Sequence, residues 1–233
     1  MSVIYVIRHA QASFGRENYD RLSDLGVKQA EILGDYLGHL GLEFDAVYSG
    51  TLDRQKDTAE VALGRMPGQA RYDLRIETGL SEYDAEAVVT SQLPAMIEAD
   101  PTLTRDVERM TERRSFQRVF EGAMLRWVSG RYDVNGVETW QAFSSRVRKA
   151  IGEIMAENGR RKKVIVFTSG GPICATVQMA IGVTTEVAVR LNWQLKNTSV
   201  SGFKYNDKGI FLSSFNSVHH LWDRKEPELL TYR

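Results

Sequence analysis

Cysteine is almost missing from this chain: Cys174 is the only one in 233 residues. That excludes an intrachain disulfide and suits the cytoplasm, where none is needed. Histidine is scarce as well. Four histidines, with no His-Glu-x-x-His pattern and no cysteine pair, argue against a metal site. Net charge is lacking, since thirty basic residues are balanced by thirty acidic ones. No global field therefore draws the protein to nucleic acid or to an anionic membrane, and any anion site must be local. No apolar stretch reaches membrane-spanning length, and the N-terminal apolar run, closed by Arg8, is too short for a signal-peptide core. The expectation is a soluble cytoplasmic protein without nucleic-acid or membrane partners, its oligomeric state open. What is present is ordinary globular composition, 42% hydrophobic and 26% charged, enough for a single domain over residues 1–233 with room for an insertion.

The stretch from Val3 to Ser13 passes from an unbroken apolar run to two adjacent nitrogen-bearing side chains. Five apolar or aromatic residues without alternation, Val3 to Ile7, suggest a strand covered on both faces of a helix-flanked sheet. Arg8 and His9 follow at its carboxyl end, where open α/β sheets bind ligands. An anion-binding guanidinium beside a base or nucleophile is one reading; an exposed Arg-His pair in a turn is the other.

The rhythm then repeats. Ser23 is a plausible N-cap for a helix to about Leu40, with Ala30, Leu33, Leu37 and Leu40 on its buried face and Gly41 ending it. Phe44 to Tyr48 reads as a second strand, and Ser49 and Thr51 as caps of a helix through Leu63 with Arg54 in its first turn. Two strand-to-helix junctions thus carry an arginine, and parallel neighbouring strands would bring both to one sheet edge. A polar third strand is expected over Ala70 to Thr78, leading into Gly79-Leu80-Ser81-Glu82-Tyr83-Asp84. From Glu86 onward the pattern is helical, with breaks expected at Pro94, Pro101 and Tyr132 to Gly136. Residues 86–138 are taken as an insertion covering the sheet's carboxyl edge, and the helix from Thr139 to Glu157 as a return to the core. Val164 to Phe167 is a second fully apolar strand. After it, Ser169-Gly170-Gly171 opens a helix, Ile173 to Ile181, with Pro172 suited to its first position, so that backbone N–H groups face an anion. Val200 to Tyr205 and Ile210 to Phe215 form a hairpin around Asn206 to Gly209.

These residues suggest phosphoryl transfer. Neutral His9 attacks phosphorus, Arg8, Arg54, Ser169 and Gly170 bind the phosphoryl oxygens, and Glu82 protonates the leaving alcohol and then activates water. The chain resembles the histidine phosphatase superfamily in its phosphoglycerate-mutase-like branch. Arg8-His9-Ala10 matches that family's Arg-His-Gly signature; Leu22-Ser23, Gly26 and Gln29-Ala30 resemble its continuation; Arg54 falls on its second arginine and Leu80-Ser81-Glu82 on its Leu-x-Glu. The resemblance implies a three-layer α/β/α sandwich with a mostly parallel sheet and a helical insertion, a phosphohistidine on His9, no cofactor and no metal, and a small phosphorylated substrate or inorganic phosphate as ligand.

Two departures stand out. Ala10 replaces the signature glycine, which costs little if φ there is negative. Thr168-Ser169-Gly170-Gly171 stands where the family has Ser-His-Gly-Gly, so Ser169 replaces its second histidine and offers one hydrogen bond without a charge. His219 and His220 are possible substitutes, with surface or supporting roles preferred; Ser13 is a further possible site residue. Tyr83-Asp84-Ala85-Glu86 does not resemble the mutase continuation, which favours hydrolysis. Two alternatives remain: a phosphoryl-ligand-binding or regulatory protein of low activity, and a serine hydrolase using Ser169, Asp207 and His219. The insertion arginines Arg105, Arg109, Arg113, Arg114 and Arg118, interleaved with acids, read as a solvated face. His39 reads as surface, the four tryptophans as packing, and Cys174 as a buried thiol.

Overall fold

A computed structural model describes residues 1–13, 20–68 and 72–232. The apolar run is β1 (Ser2–Arg8), and the second such run is β4 (Lys163–Thr168); they lie side by side and parallel. Next to β4 comes β2 (Ala46–Ser49), parallel, and beyond it the short edge strand β3 (Leu74–Ile76). On the other side β5 (Val200–Asn206) joins β1 antiparallel and pairs with β6 (Gly209–Ser217) through the expected hairpin. The order is β3-β2-β4-β1-β5-β6. The arginine-bearing strands β1 and β2 are therefore parallel but not neighbours, because β4 lies between them.

Alternation along these strands builds two cores, one on each face. Ile7, Val47, Ile165 and Phe167 meet Leu33 and Leu37 of α1 (Asp24–His39) and Ala59, Ala62 and Leu63 of α2 (Asp53–Gly64). Ile4, Val6, Tyr48, Val164 and Val166 meet Phe143, Val147 and Ile151 of α6 (Trp140–Asn158) and Ile173 and Val177 of α7 (Gly170–Ile181). This is a three-layer sandwich with a mostly parallel sheet. Between the layers' elements, α3 (Ala85–Ala99), α4 (Leu103–Glu108) and α5 (Arg113–Val128) gather around Met96, Leu103, Val119 and Ala123. Two short helices, α8 (Thr185–Asn192) and α9 (His219–Trp222), complete the chain's α-helices among the described residues.

Several local expectations are corrected. Leu40 is exposed; it is the C-cap of α1, past the turn that faces the core. The N-cap of α2 is Leu52 rather than Ser49 or Thr51. Gln55 Oε1 accepts from the Leu52 N–H at 3.2 Å, and the Thr51 hydroxyl is instead paired with Ser81 Oγ at 2.7 Å. Pro94 does not break α3. It and Thr90, whose carbonyl loses its helical donor, are both exposed, so water can take that donor's place. Pro172 is the third residue of α7 rather than the first, still within the turn whose N–H groups have no helical acceptor. The third strand is confined to Leu74–Ile76; Ala70 and Arg71, where it was expected to start, lie outside the described residues, as does Tyr19 of the first loop. Trp222 is exposed, whereas Trp127 and Trp140 are core residues.

Candidate active site

The register pairs Arg8 of β1 with Thr168 of β4, and Ser49 of β2 with Phe167, so three parallel strands finish level. His9, Arg54 and Ser169 follow these three ends, whereas Glu82 arrives from the turn after β3. His9 leaves β1 with its N–H on the Thr168 carbonyl at 2.8 Å and its own carbonyl held by Asn197 Nδ2 at 3.0 Å. Its imidazole is buried. Nδ1 lies 2.7 Å from the Ala10 carbonyl, an atom that only accepts, so Nδ1 carries the proton. Nε2 keeps its lone pair and receives the Arg54 Nε–H at 3.2 Å. Burial first, then the Arg54 and Arg8 charges, push the His9 pKa well below the ordinary histidine value. The ring is thereby kept neutral, with Nε2 unprotonated and its lone pair capped by the Arg54 N–H.

Arg54 sits in the first turn of α2, as expected. Its NH1 is 2.5 Å from Asp20 Oδ1, and Asp20 Oδ2 accepts the Asp53 N–H at 2.7 Å, so this acid clamps the helix start and the arginine together. Thr58, one turn on, donates to the Arg54 carbonyl at 2.6 Å and accepts from the Ala10 N–H at 2.9 Å, tying α2 to the segment after His9. Ala10 is fully buried, and positive φ among non-glycine residues falls elsewhere, so the replacement of glycine costs no strain.

Glu82 follows a single 3-10 turn, Thr78–Leu80, and reaches the N-terminus of α7. Its Oε2 accepts from Gly171 N at 3.0 Å and its Oε1 from Tyr83 N at 3.2 Å. A Cβ on Gly171 would stand 2.1 Å from Glu82 Oε1, so only glycine leaves room for this carboxylate. Burial raises the Glu82 pKa, opposed by the Gly171 and Tyr83 N–H groups and by the two arginines. The expected anion site at the α7 terminus is thus already lent to Glu82 through Gly171. Gly170 serves packing: a Cβ there would be 1.9 Å from Asn192 Oδ1.

Other expected residues are placed differently. The Arg8 guanidinium donates to the Leu195 carbonyl and, at 2.7 Å, to the Tyr232 carbonyl; it still acts electrostatically on His9 and Glu82. Ser169 is completely buried and accepts from Gln55 Nε2 at 2.8 Å. Ser13 donates to the Leu22 carbonyl at 2.9 Å. His219 is exposed and lies against Trp222. His220 is buried 3.0 Å from Thr198 Oγ1, and the Thr198 N–H contacts the His9 carbonyl at 3.4 Å, so His220 supports the site from behind. The serine-hydrolase alternative is overturned. Asp207 sits in the β5–β6 turn, paired with Arg160 at the end of the sheet opposite Ser169, and His219 reaches neither. All five insertion arginines are exposed, with Arg118 paired to Asp100 and Asp106. Cys174 is buried, and burial and the Glu82 charge raise its thiol pKa. Among the described residues, no group of three or more His, Cys, Asp or Glu is placed to hold a metal ion, and no helix is long and apolar enough to cross a membrane.

Sequence reasoning missed Asp20, Gln55, Asn197 and Thr198. Gln55 carried one usable signal, its place directly after Arg54. Thr198, a β-branched residue held at φ 55°, carried none.

Comparison with known proteins agrees with this geometry. The profile of the histidine phosphatase superfamily, branch 1, matches residues 4–218. The chain belongs to that superfamily. A 65-residue stretch is 37% identical to the mitochondrial serine/threonine-protein phosphatase Pgam5 of Caenorhabditis briggsae, covering 28% of this chain and 23% of that relative. A similar 66-residue match, 35% identical, is found to PGAM5 of Xenopus laevis, of which it covers 24%. The chain thus matches only about a quarter of these curated relatives. Among solved structures, phosphoserine phosphatase of Entamoeba histolytica in complex with phosphoserine superposes with a TM-score of 0.66 at 18% identity, over 95% of this chain and 100% of that one. Phosphoglycerate mutase of Bacillus anthracis gives 0.66 at 20% identity, over 97% of each. At such identities the likeness is one of fold, and the histidine phosphatase family is fixed by the profile.

Proposed function

We propose that this histidine phosphatase hydrolyses phosphate monoesters through a phosphohistidine on His9, without a cofactor. The observation that carries the proposal is the state of the His9 ring: Nδ1–H is anchored on Ala10, and the Nε2 lone pair lies 3.2 Å from Arg54 Nε. Nε2 attacks phosphorus as the P–O bond to the alcohol breaks, with Arg54 neutralising the phosphoryl oxygens and Arg8 adding positive potential. Glu82, its carboxyl held up by burial, gives its proton to the departing alkoxide. The resulting carboxylate then takes a proton from water, whose oxygen attacks phosphorus; the P–N bond breaks, and inorganic phosphate and neutral His9 are restored. Phosphoserine, 3-phosphoglycerate and phosphothreonine peptides form the natural test panel, given what the structural neighbours bind and what the curated relatives are named for.

A second reading, a phosphoryl-ligand binder of low turnover, is favoured by Ser169, whose hydroxyl is sealed from solvent by Gln55. Quenching the protein and its His9→Ala variant after incubation with the panel separates the two. Acid-labile phosphoprotein in the parent and none in the variant is expected, with turnover unaffected by chelator. Label surviving in the variant refutes the His9 mechanism, and ligand binding without label or phosphate release favours the binder.

A further inference from the structure

Between α6 and the Glu82 loop lies a guanidinium that the chemistry above does not use. Arg146, in the second turn of α6, donates from NH1 to the Gly79 carbonyl at 3.0 Å and the Ser81 carbonyl at 2.7 Å, and from NH2 to the Glu82 carbonyl at 3.5 Å. Its other edge is gripped by one carboxylate: Nε to Glu138 Oε1 at 2.7 Å and NH2 to Glu138 Oε2 at 3.0 Å. The Phe143 ring, 4.7 Å from the guanidinium carbon, backs the plane. The remaining carbonyl of this run, Leu80, accepts from Thr168 Oγ1 at 2.5 Å. Four consecutive carbonyls are thus tied down, three of them by one side chain. The loop also presses on α6, since a Cβ on Gly79 would meet Ala150 Cβ at 2.7 Å and the Arg146 carbonyl at 2.9 Å.

We propose that Arg146, braced by Glu138, is the positioning residue for the proton donor: it fixes the Glu82 backbone while Gly171 fixes the carboxylate. The proposal rests on the assignment of Glu82 as that donor. A planar fork with five N–H donors serves two opposed sets of acceptors at once; a lysine ammonium, with three rotatable donors at a point, cannot. The brace also reaches the helical insertion, because the Glu138 carbonyl accepts from Trp127 Nε1 of α5 at 2.6 Å. Trp127 in turn packs on Tyr83, next to Glu82, with ring centres 4.6 Å apart.

The test compares two esters by kcat/KM, which reports transfer to His9 and not the later hydrolysis. An alkyl phosphate such as phosphoserine needs the proton from Glu82; p-nitrophenyl phosphate, whose leaving phenolate is stable, does not. Arg146→Lys and Arg146→Gln are expected to lower kcat/KM for the alkyl ester by roughly a hundredfold, the scale of a misplaced catalytic group, and that for the aryl ester far less. The alkaline limb of the pH profile on the alkyl ester is expected to move to lower pH as Glu82 gains solvent. Equal losses on both esters with an unmoved limb, or full activity in Arg146→Lys, overturn the proposal. Should the Arg146 variants not fold, Glu138→Gln, which loosens the fork without removing it, gives the same comparison at smaller amplitude. Glu82→Gln runs alongside: if it lowers both esters alike, the donor assignment itself has failed, whereas if it discriminates and the Arg146 and Glu138 variants do not, only the positioning role has.

Discussion

At the scale of single residues, the site turns on what surrounds Ser169. By its resemblance to the family, the chain carries Ser169 where a second histidine is expected, and the serine could be read as a weakened donor that histidine would repair. The packing says otherwise. Gln55 and Ser169 are both fully buried, joined by a 2.8 Å hydrogen bond, and Gln55 also reaches the Leu80 carbonyl at 3.4 Å and the Leu52 N–H at 3.2 Å. Ser169 is fully enclosed, with the Gln55 amide set directly against its hydroxyl. Ser169→His alone is therefore expected to lower stability by about 1–3 kcal/mol, the cost of overpacking a filled core, without raising turnover. Ser169→His with Gln55→Ala vacates the space and is expected to be more stable than the single variant and more active. Denaturant midpoints and turnover of the two variants check this; a single variant as stable as the parent and faster would show that Gln55 does not fill that place.

At the scale of elements, the proposed catalysis depends on two junctions meeting at the start of α7. The Thr78–Leu80 turn delivers Glu82, and the helix beginning at Gly170 offers it the Gly171 N–H in a space that no side chain can share. Gly171→Ala is expected to displace the carboxylate and to cost on the order of a hundred- to a thousandfold in turnover of alkyl esters, comparable to losing a transition-state donor, with the phosphohistidine still forming from an aryl ester. Unchanged turnover would mean that Glu82 is not needed where it sits. Much of this arrangement was legible in the sequence, because β1, β4 and the α7 helix announce themselves by unbroken apolar runs and a Gly-Gly-Pro start. The register that levels Arg8, Ser49 and Thr168 was not, since strand order is a property of pairing rather than of any one segment; β4 between β1 and β2 is the case in point. Nor could spacing reveal Gln55 on Ser169 or Arg146 on Glu82, which join positions 114 and 64 residues apart.

At the scale of the whole molecule, the segment behind His9 is also where the chain's C-terminal stretch is fastened. Asn197 N–H donates to the Thr231 carbonyl at 2.9 Å, Gln29 Nε2 donates to the Leu229 carbonyl at 2.8 Å, and His220 packs 3.0 Å from Thr198 Oγ1 and near Tyr36 of α1. Burial, followed by the neighbouring His219 charge, lowers the His220 pKa to about 3 from its ordinary 6.5. The sign is set by proton binding. Unfolded His220 takes up its proton below about pH 6.5 while the folded form resists until about 3, so the stabilisation is whole above 6.5 and is lost as pH falls through that window. His9, also depressed, acts in the same direction; Glu82, raised, acts oppositely and only above its ordinary 4.5, where its stabilisation fades with rising pH. Aspartates such as Asp45, lowered by Lys162, add acid sensitivity only below 3.8, so loss of stability between pH 6.5 and 4.5 belongs to the histidines. Unfolding free energy measured by denaturant at pH 7.5, 6 and 5 is expected to fall by a few kcal/mol over that range, about 1.4 kcal/mol per unit for each depressed histidine. His220→Asn, which keeps a hydrogen-bonding partner for Thr198 without a titrating ring, is expected to remove about half of that slope; a variant with the parent's slope would place the acid sensitivity elsewhere.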